Sequence, residues 1–296
     1  MKRRTFLRQS SVLAFSVGAF GSISWNGHHF IGDSPTTTDI LGPFYRPGAP
    51  LRSNITPSGI TGDVLHFSGV VYGEGGKRPI SNALVEVWQC DEHGVYDNTS
   101  DDYHYRGAVN TGRDGKYYFK TVIPVPYKTD EKHTRPAHIH MRISGTEYQD
   151  LITQVYFEGD PHISEDTSSS SPQSAHRILP LTQNAAKEKT VTFDIVMAKE
   201  YPLDAAVIEK VSGLYQMDKI LVEFYKKGDL LFMKFNGQIE EGMAYRGNNR
   251  FEGGLGYIKT HFEPTTDGGV KATVSYIDDD RKDHALEGTK ILKYRE

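Results

Sequence analysis

Two histidines one residue apart, His138 and His140 in the run Arg135-Pro136-Ala137-His138-Ile139-His140, have the clearest capacity for chemistry in this sequence. In an extended segment, side chains two residues apart share a face. The two imidazoles then point the same way and can offer two neutral nitrogens to one metal ion. Two solvent-facing histidines on an ordinary strand fit the same spacing, because so short a motif is weakly specific. What decides between them is the company the pair keeps. No carboxylate or cysteine stands at a telling spacing from it. Two tyrosines follow turn residues, where a side chain can be aimed inward: Tyr96 after His93-Gly94-Val95, and Tyr127 after Pro124-Val125-Pro126. In a chain with 17 tyrosines, either one alone reads as sheet packing.

These side chains need a frame, and the hydrophobic rhythm supplies one. Met141-Arg142-Ile143 continues the alternation beyond His140, so the run reads as a strand. Further strands are expected over residues 64–72, 83–89, 116–123, 151–157 and 191–197. Gly73-Glu74-Gly75-Gly76-Lys77 precedes a proline and another strand rather than a helix, which makes it a hairpin turn and not a phosphate cradle. Asp114-Gly115 is a second strong turn signal. Residues 166–174 are Ser-rich and read as a flexible loop. Short, regularly spaced strands with little helical periodicity predict an all-β fold, an antiparallel sandwich over about residues 36–199. A second unit starts near Pro202, with short strands near 220–225, 230–235, 257–262 and 272–276 punctuated by turns such as Asn236-Gly237. It carries no cluster of ligands or nucleophiles and reads as a small all-β accessory domain, residues 200–296.

The formal charge of -4 gives no electrostatic case for nucleic acid. A single cysteine, Cys90, excludes an internal disulfide framework and suits a small buried residue. Residues 1–30 differ from the rest: Lys2-Arg3-Arg4-Thr5-Phe6-Leu7-Arg8 is basic, and residues 12–23 are apolar with small side chains. That layout is an export signal, too short for a stable membrane span. Its Arg3-Arg4 pair resembles a twin-arginine address, with a general secretory signal or an amphipathic anchor as the alternatives. The expectation is an exported protein, periplasmic or extracellular, with a sandwich domain over residues 31–199.

Several motifs then appear in a telling order. Val87-Trp88-Gln89, Gly94-Val95-Tyr96, Asp114-Gly115-Lys116-Tyr117, Thr121-Val122-Ile123-Pro124-Val125-Pro126-Tyr127 and the Arg135–His140 run are followed by Leu151-Ile152-Thr153-Gln154-Val155-Tyr156-Phe157. In this order they resemble the intradiol ring-cleavage dioxygenases. Gly42-Pro43-Phe44-Tyr45 is similar to the N-terminal segment of the protocatechuate 3,4-dioxygenase branch. The resemblance covers about residues 36–199 and leaves out the C-terminal unit. It implies a mononuclear, non-haem Fe(III) held by Tyr96, Tyr127, His138 and His140, with an aromatic diol and dioxygen as partners. A phenolate and imidazole set favours Fe(III) over zinc or copper. The implied reaction cleaves a catechol between its two hydroxylated carbons to a muconate-type diacid. Tyr127 is the ligand that leaves the ion and accepts a substrate proton, and Tyr96 stays. Arg135 corresponds to an arginine that stabilises negative charge on the ring, and Gln154 to a polar residue beside the ring and the dioxygen pocket. A surface ion pair for Arg135 and a sheet-edge hydrogen bond for Gln154 are the plain readings without the other motifs.

The loop over residues 128–134 is hydrophilic and lacks the tryptophan that protocatechuate enzymes carry after the second tyrosine, which leaves the ring substituent open. Tyr45 and Tyr103 can line the pocket or simply pack. Two other classes compete with the enzyme. A non-catalytic transthyretin-like sandwich has the same rhythm but no use for these tyrosines and histidines together with Arg135. A zinc hydrolase lacks a carboxylate base at a useful spacing. Self-association is open.

Overall fold

Which face of each strand is buried decides the architecture. In the computed structural model, residues 23–25, 30–32, 35–59, 62–73, 75–199, 205–227 and 230–292 are described. The expected export signal falls mainly on residues 1–22, outside them. Ile23–Trp25 and Phe30–Gly32 pair as two antiparallel strands.

Val64–Tyr72 alternates strictly between buried and half-buried positions, with Leu65, Phe67 and Val71 inward. It centres one sheet, pairing antiparallel with Lys116–Val122 and parallel with Lys189–Thr192 and Ile195–Val196. The opposing five-stranded sheet runs Ile178–Leu179, Leu151–Phe157, His138–Ser144, Leu84–Trp88, Arg106–Asn110. Ile139, Met141, Ile143, Val155 and Phe157 of this second sheet meet Leu65, Phe67 and Phe119 of the first in one apolar core. The expected sandwich is therefore present, with parallel pairs at its margins where only antiparallel ones were expected.

Nearly every residue of His138–Ser144 and Leu151–Phe157 is buried, so the face turned away from the core is covered as well. Register makes that second face a functional one. Trp88, His140 and Gln154 stand abreast across three strands, Tyr156 stands beside His138, and Arg142 lies between Glu86 and Ile152.

The cover comes from the N-terminal segment around Leu41 to Tyr45 and from the C-terminal unit. After the helix Ala205–Val211, eight antiparallel strands from Gly213–Met217 to Asp283–Leu292 form a closed barrel, the first pairing with the last. Tyr215, Phe224, Phe251, Phe262, Met233 and Met243 fill it, so it has a packed core of its own. Leu230, Phe232 and Ala244 of the barrel cluster with Leu41, Tyr45, Trp88, Tyr96 and Ile152 of the sandwich. No described helix is long and apolar enough to cross a membrane.

Candidate metal centre

Four side chains expected to act together do meet. The Tyr96 phenol oxygen lies 3.2 Å from His138 Nε2, which lies 3.1 Å from His140 Nε2. The Tyr127 ring is 5.7 Å from that of Tyr96 and 5.6 Å from that of His138, centroid to centroid. Local sequence explains each placement. The two histidines are a same-face pair on one strand. Tyr96 and Tyr127 leave turns that pass close together: at Gly94, φ is +79° and a Cβ would stand 2.8 Å from the Tyr127 Cβ. Glycine meets both demands at that point.

The centre is dry and its rings are fixed. His138 and His140 are each 1% exposed and Tyr96 6%. Trp88 stacks on His140 at 5.0 Å and 8°, and Phe44 on Tyr96 at 4.4 Å and 16°. The Pro136 carbonyl lies 2.6 Å from His138 Nδ1, which must therefore carry a proton and donate it. The Nε2 lone pair of His138 then faces the cluster. Burial, and after it the charge of Arg135, holds His138 well below the usual histidine range; burial does the same for His140, with His138 next in importance. Burial raises both phenols, Tyr96 well above the ordinary tyrosine value, while Arg135 pulls each the other way. Neutral imidazoles and phenols converging in a dry site form a donor set that a cation would complete, because a bound cation inverts the preference for protonated phenol. Among the described residues no group of three or more His, Cys, Asp or Glu could hold a metal. The tyrosines must supply the anionic donors, and a hard phenolate with imidazole fits Fe(III).

Arg135 sits beside this centre rather than on the surface, opposite Tyr127 in a two-pair ladder of Tyr127–Lys128 with Thr134–Arg135. Its Nη2 donates to Gln154 Oε1 at 2.9 Å and to the Tyr156 hydroxyl at 3.3 Å. Its Nε pairs with Asp166 Oδ1 at 2.6 Å. Burial is the largest influence and opposes the charge, but Asp166 together with Tyr156, Tyr127 and Asp39 overcomes it and keeps the guanidinium charged. Gln154 is a connector: besides receiving Arg135, it donates to the Ile40 carbonyl at 2.7 Å. Behind it, Tyr156 donates to Asp39 at 2.8 Å, and the fully buried Arg177 pairs with the same Asp39. Arg135 is thus ion-paired inside the site rather than on the surface, and Gln154 stands on an interior strand of its sheet.

Sequence reasoning missed three contributors. Asp166 sits in the Ser-rich stretch expected to be flexible, yet this stretch is compact, with Ser168, Ser169 and Ser174 buried. Arg106 is 1% exposed, and burial lowers its pKa to about 10; it donates to the carbonyls of Phe44 and Asp97 and to Asn98. Its position in an otherwise apolar strand was the available signal. Trp88, quoted only as part of a motif, stacks on His140. Tyr45 and Tyr103 pack: Tyr45 accepts from Arg142 at 2.9 Å and lies against Trp88, while Tyr103 stacks under Arg46 at 3.9 Å. Cys90 is buried and unpaired, its thiol pushed up to about 11 by burial.

A β-sandwich with phenols and imidazoles meeting on its covered face defines a non-haem metalloprotein class. Residues 40–199 match the family model described as Dioxygenase, and the chain belongs to that intradiol dioxygenase family. It is 36% identical over 172 residues to the chlorocatechol 1,2-dioxygenase of Rhodococcus opacus, covering 50% of this chain and 65% of that one. It is 34% identical over 154 residues to catechol 1,2-dioxygenase 2 of Acinetobacter lwoffii, covering 46% and 55%. The solved catechol 1,2-dioxygenase from Pseudomonas arvilla C-1 superposes with a TM-score of 0.51 at 26% identity, covering 58% of this chain and 64% of that one. The chain thus spans about half to two thirds of the length of these relatives, and the match stops before the barrel.

Proposed function

We propose that the protein is a non-haem Fe(III) dioxygenase that cleaves a catechol-type diol between its two hydroxylated carbons to a muconate-type diacid. The observation that carries this reading is the meeting of Tyr96, His138 and His140 within 3.2 Å, with Tyr127 against them, in a dry pocket. These four would hold the ion. Bound ferric iron would supply the Lewis acidity that lets the diol bind as an anion and that activates its ring toward dioxygen. The chain's own residues do the rest. Tyr127, as phenolate, would accept a diol proton at its oxygen. Arg135, offset by Asp166 at Nε and with Nη2 turned to Gln154 and Tyr156, opposes by its donor edge the negative charge that develops on the ring. It has no net charge left for a second anion. Gln154 holds Arg135 in place through Nη2. Phe44 and Trp88 fix the ring planes of Tyr96 and His140 and keep out water. Both atoms of dioxygen end in the diacid, so diol and dioxygen balance product with no external reductant.

Iron-loaded protein should be wine-red from tyrosinate-to-iron charge transfer, with a band that shifts on adding catechol. It should consume one dioxygen per ring opened. Tyr127→Phe should shift that band and lower kcat by about 100-fold or more, the range for losing a positioned proton acceptor. A colourless protein that takes up no iron overturns the reading, and unchanged turnover in Tyr127→Phe overturns the role of Tyr127. The likeness to catechol and chlorocatechol 1,2-dioxygenases supports the diol class. The resemblance to the protocatechuate branch rests on Gly42–Tyr45, a segment whose Phe44 lies against Tyr96 and Tyr127. Export by a twin-arginine route completes the proposal, on Arg3-Arg4 and the apolar run after them.

A further inference from the structure

The Ser-rich stretch that brings Asp166 to Arg135 is more ordered than its composition suggests. Asp166 has both carboxylate oxygens committed: Oδ1 to Arg135 Nε at 2.6 Å, Oδ2 to the Ser169 backbone N–H at 2.7 Å. Both side chains are buried, Arg135 at 12% and Asp166 at 6% exposure. The stretch is held from within by Ser169 on the Ile163 carbonyl and by Arg177 on Ser174. It is also held by the barrel: Arg281 donates to Ser170 Oγ at 2.7 Å and Tyr257 to the Thr167 carbonyl at 3.4 Å. Asp166 is therefore not free to swing away.

The charge consequence is specific. Two guanidiniums, Arg135 and Arg177, face two carboxylates, Asp39 and Asp166, so the wall beside the ring position is charge-balanced before any diol arrives. The field of Asp166 reaches Tyr127 as well. A diol carrying a ring carboxylate would meet an arginine whose charge is already matched, next to a fixed anion. Like charges brought together in a buried site are strongly disfavoured. Displacing Asp166 is no escape, since it would leave a buried carboxylate without its partner.

Resting on the ring-cleavage reading above, we propose that Asp166 is a specificity-determining residue, which restricts the site to diols with uncharged rings and rejects ring carboxylates. Oxygen uptake on catechol and on 3,4-dihydroxybenzoate should give a kcat/KM at least about tenfold higher for catechol in the wild-type enzyme. Asp166→Asn should raise the relative kcat/KM for the carboxylated diol about tenfold, by freeing Arg135. A wild-type preference for 3,4-dihydroxybenzoate, which needs no variant to observe, overturns the proposal. So does an unchanged ratio in folded Asp166→Asn. Binding to metal-free protein supplies a readout independent of turnover: calorimetry should show 4-hydroxybenzamide bound more tightly than its anionic isostere 4-hydroxybenzoate, with the gap closing in Asp166→Asn. Equal binding of the two overturns the proposal. Absence of turnover on either diol, with that binding preference intact, overturns the ring-cleavage reading and leaves the charge selectivity supported.

Discussion

At the scale of single residues, what the sequence disclosed depended on whether a side chain's role is local. His138 and His140 were legible because two residues on one strand share a face whatever the rest of the chain does. Tyr96 and Tyr127 needed the resemblance, since nothing local separates an inward phenol from a packing one. Asp166 and Glu241 were illegible because Arg135 and Leu41, which they meet, lie far along the chain. Glu241 shows the physics most plainly. It is fully buried in the barrel, receives the backbone N–H of Gly242 at 3.0 Å and that of Leu41 at 3.4 Å, and has no ion-pair partner among the described residues. Burial raises its pKa well above the usual 4.5. The folded state therefore holds a proton that the unfolded state gives up. Stability from this group is fullest below the unfolded value and falls as pH rises toward the folded one. Glu241→Gln, neutral at every pH, should melt several degrees higher than wild type at pH 8 and near wild type at pH 4, a gain of about 1–2 kcal/mol. Melts that lose stability equally at both pH values would show that the carboxyl is charged in the fold.

At the scale of elements, strands were read well and their breaks poorly. The run over residues 191–197 reads as one strand, yet it is two, Lys189–Thr192 and Ile195–Val196, on either side of a step at Phe193. The step has a cause elsewhere in the chain. The Phe193 carbonyl receives the Tyr117 hydroxyl at 2.6 Å and sits where a Cβ on Gly69 would come within 1.8 Å of it. Asp194 then accepts the Val70 N–H at 2.9 Å. A glycine inside a strand commonly marks such a close backbone approach. Gly69→Ala should therefore cost about 2–4 kcal/mol, read as an earlier denaturation midpoint at unchanged slope. A midpoint within error of wild type would mean that the Phe193 step relaxes freely. In the barrel the sequence showed the strands with strong apolar runs. It hid Gly213–Met217, Gln238–Tyr245, Arg250–Gly253 and Asp283–Leu292; in the second and last of these, carboxylates and glycines weaken the alternation.

For the whole molecule, the C-terminal unit covers the face of the sandwich that carries the chemistry. Phe232 stacks on Tyr45 at 6.0 Å, its ring lies 5.5 Å from the Arg142 guanidinium, and the Gly242 backbone lies against Ile152. Arg142 is itself held by Asp150 at 2.6 Å on the same face. Ending the chain at residue 199 would strip an apolar cover from Leu41, Tyr45 and Ile152. Such a chain should bind a hydrophobic dye and melt well below the full-length protein, and a melt unchanged by the truncation would make the barrel an independent appendage. The same cover touches the hairpin between Tyr127 and Arg135, where His133 lies 3.8 Å from Asp280. That hairpin has a property of its own. The pairs Tyr127 with Arg135 and Lys128 with Thr134 are closed off by the Thr129 N–H on the His133 carbonyl at 3.0 Å and by Asp130, which accepts the backbone N–H of His133 at 2.9 Å. Under the proposed reading, proton acceptor and ring-facing cation are the two jaws of one clip, and the turn at Asp130 is its spring.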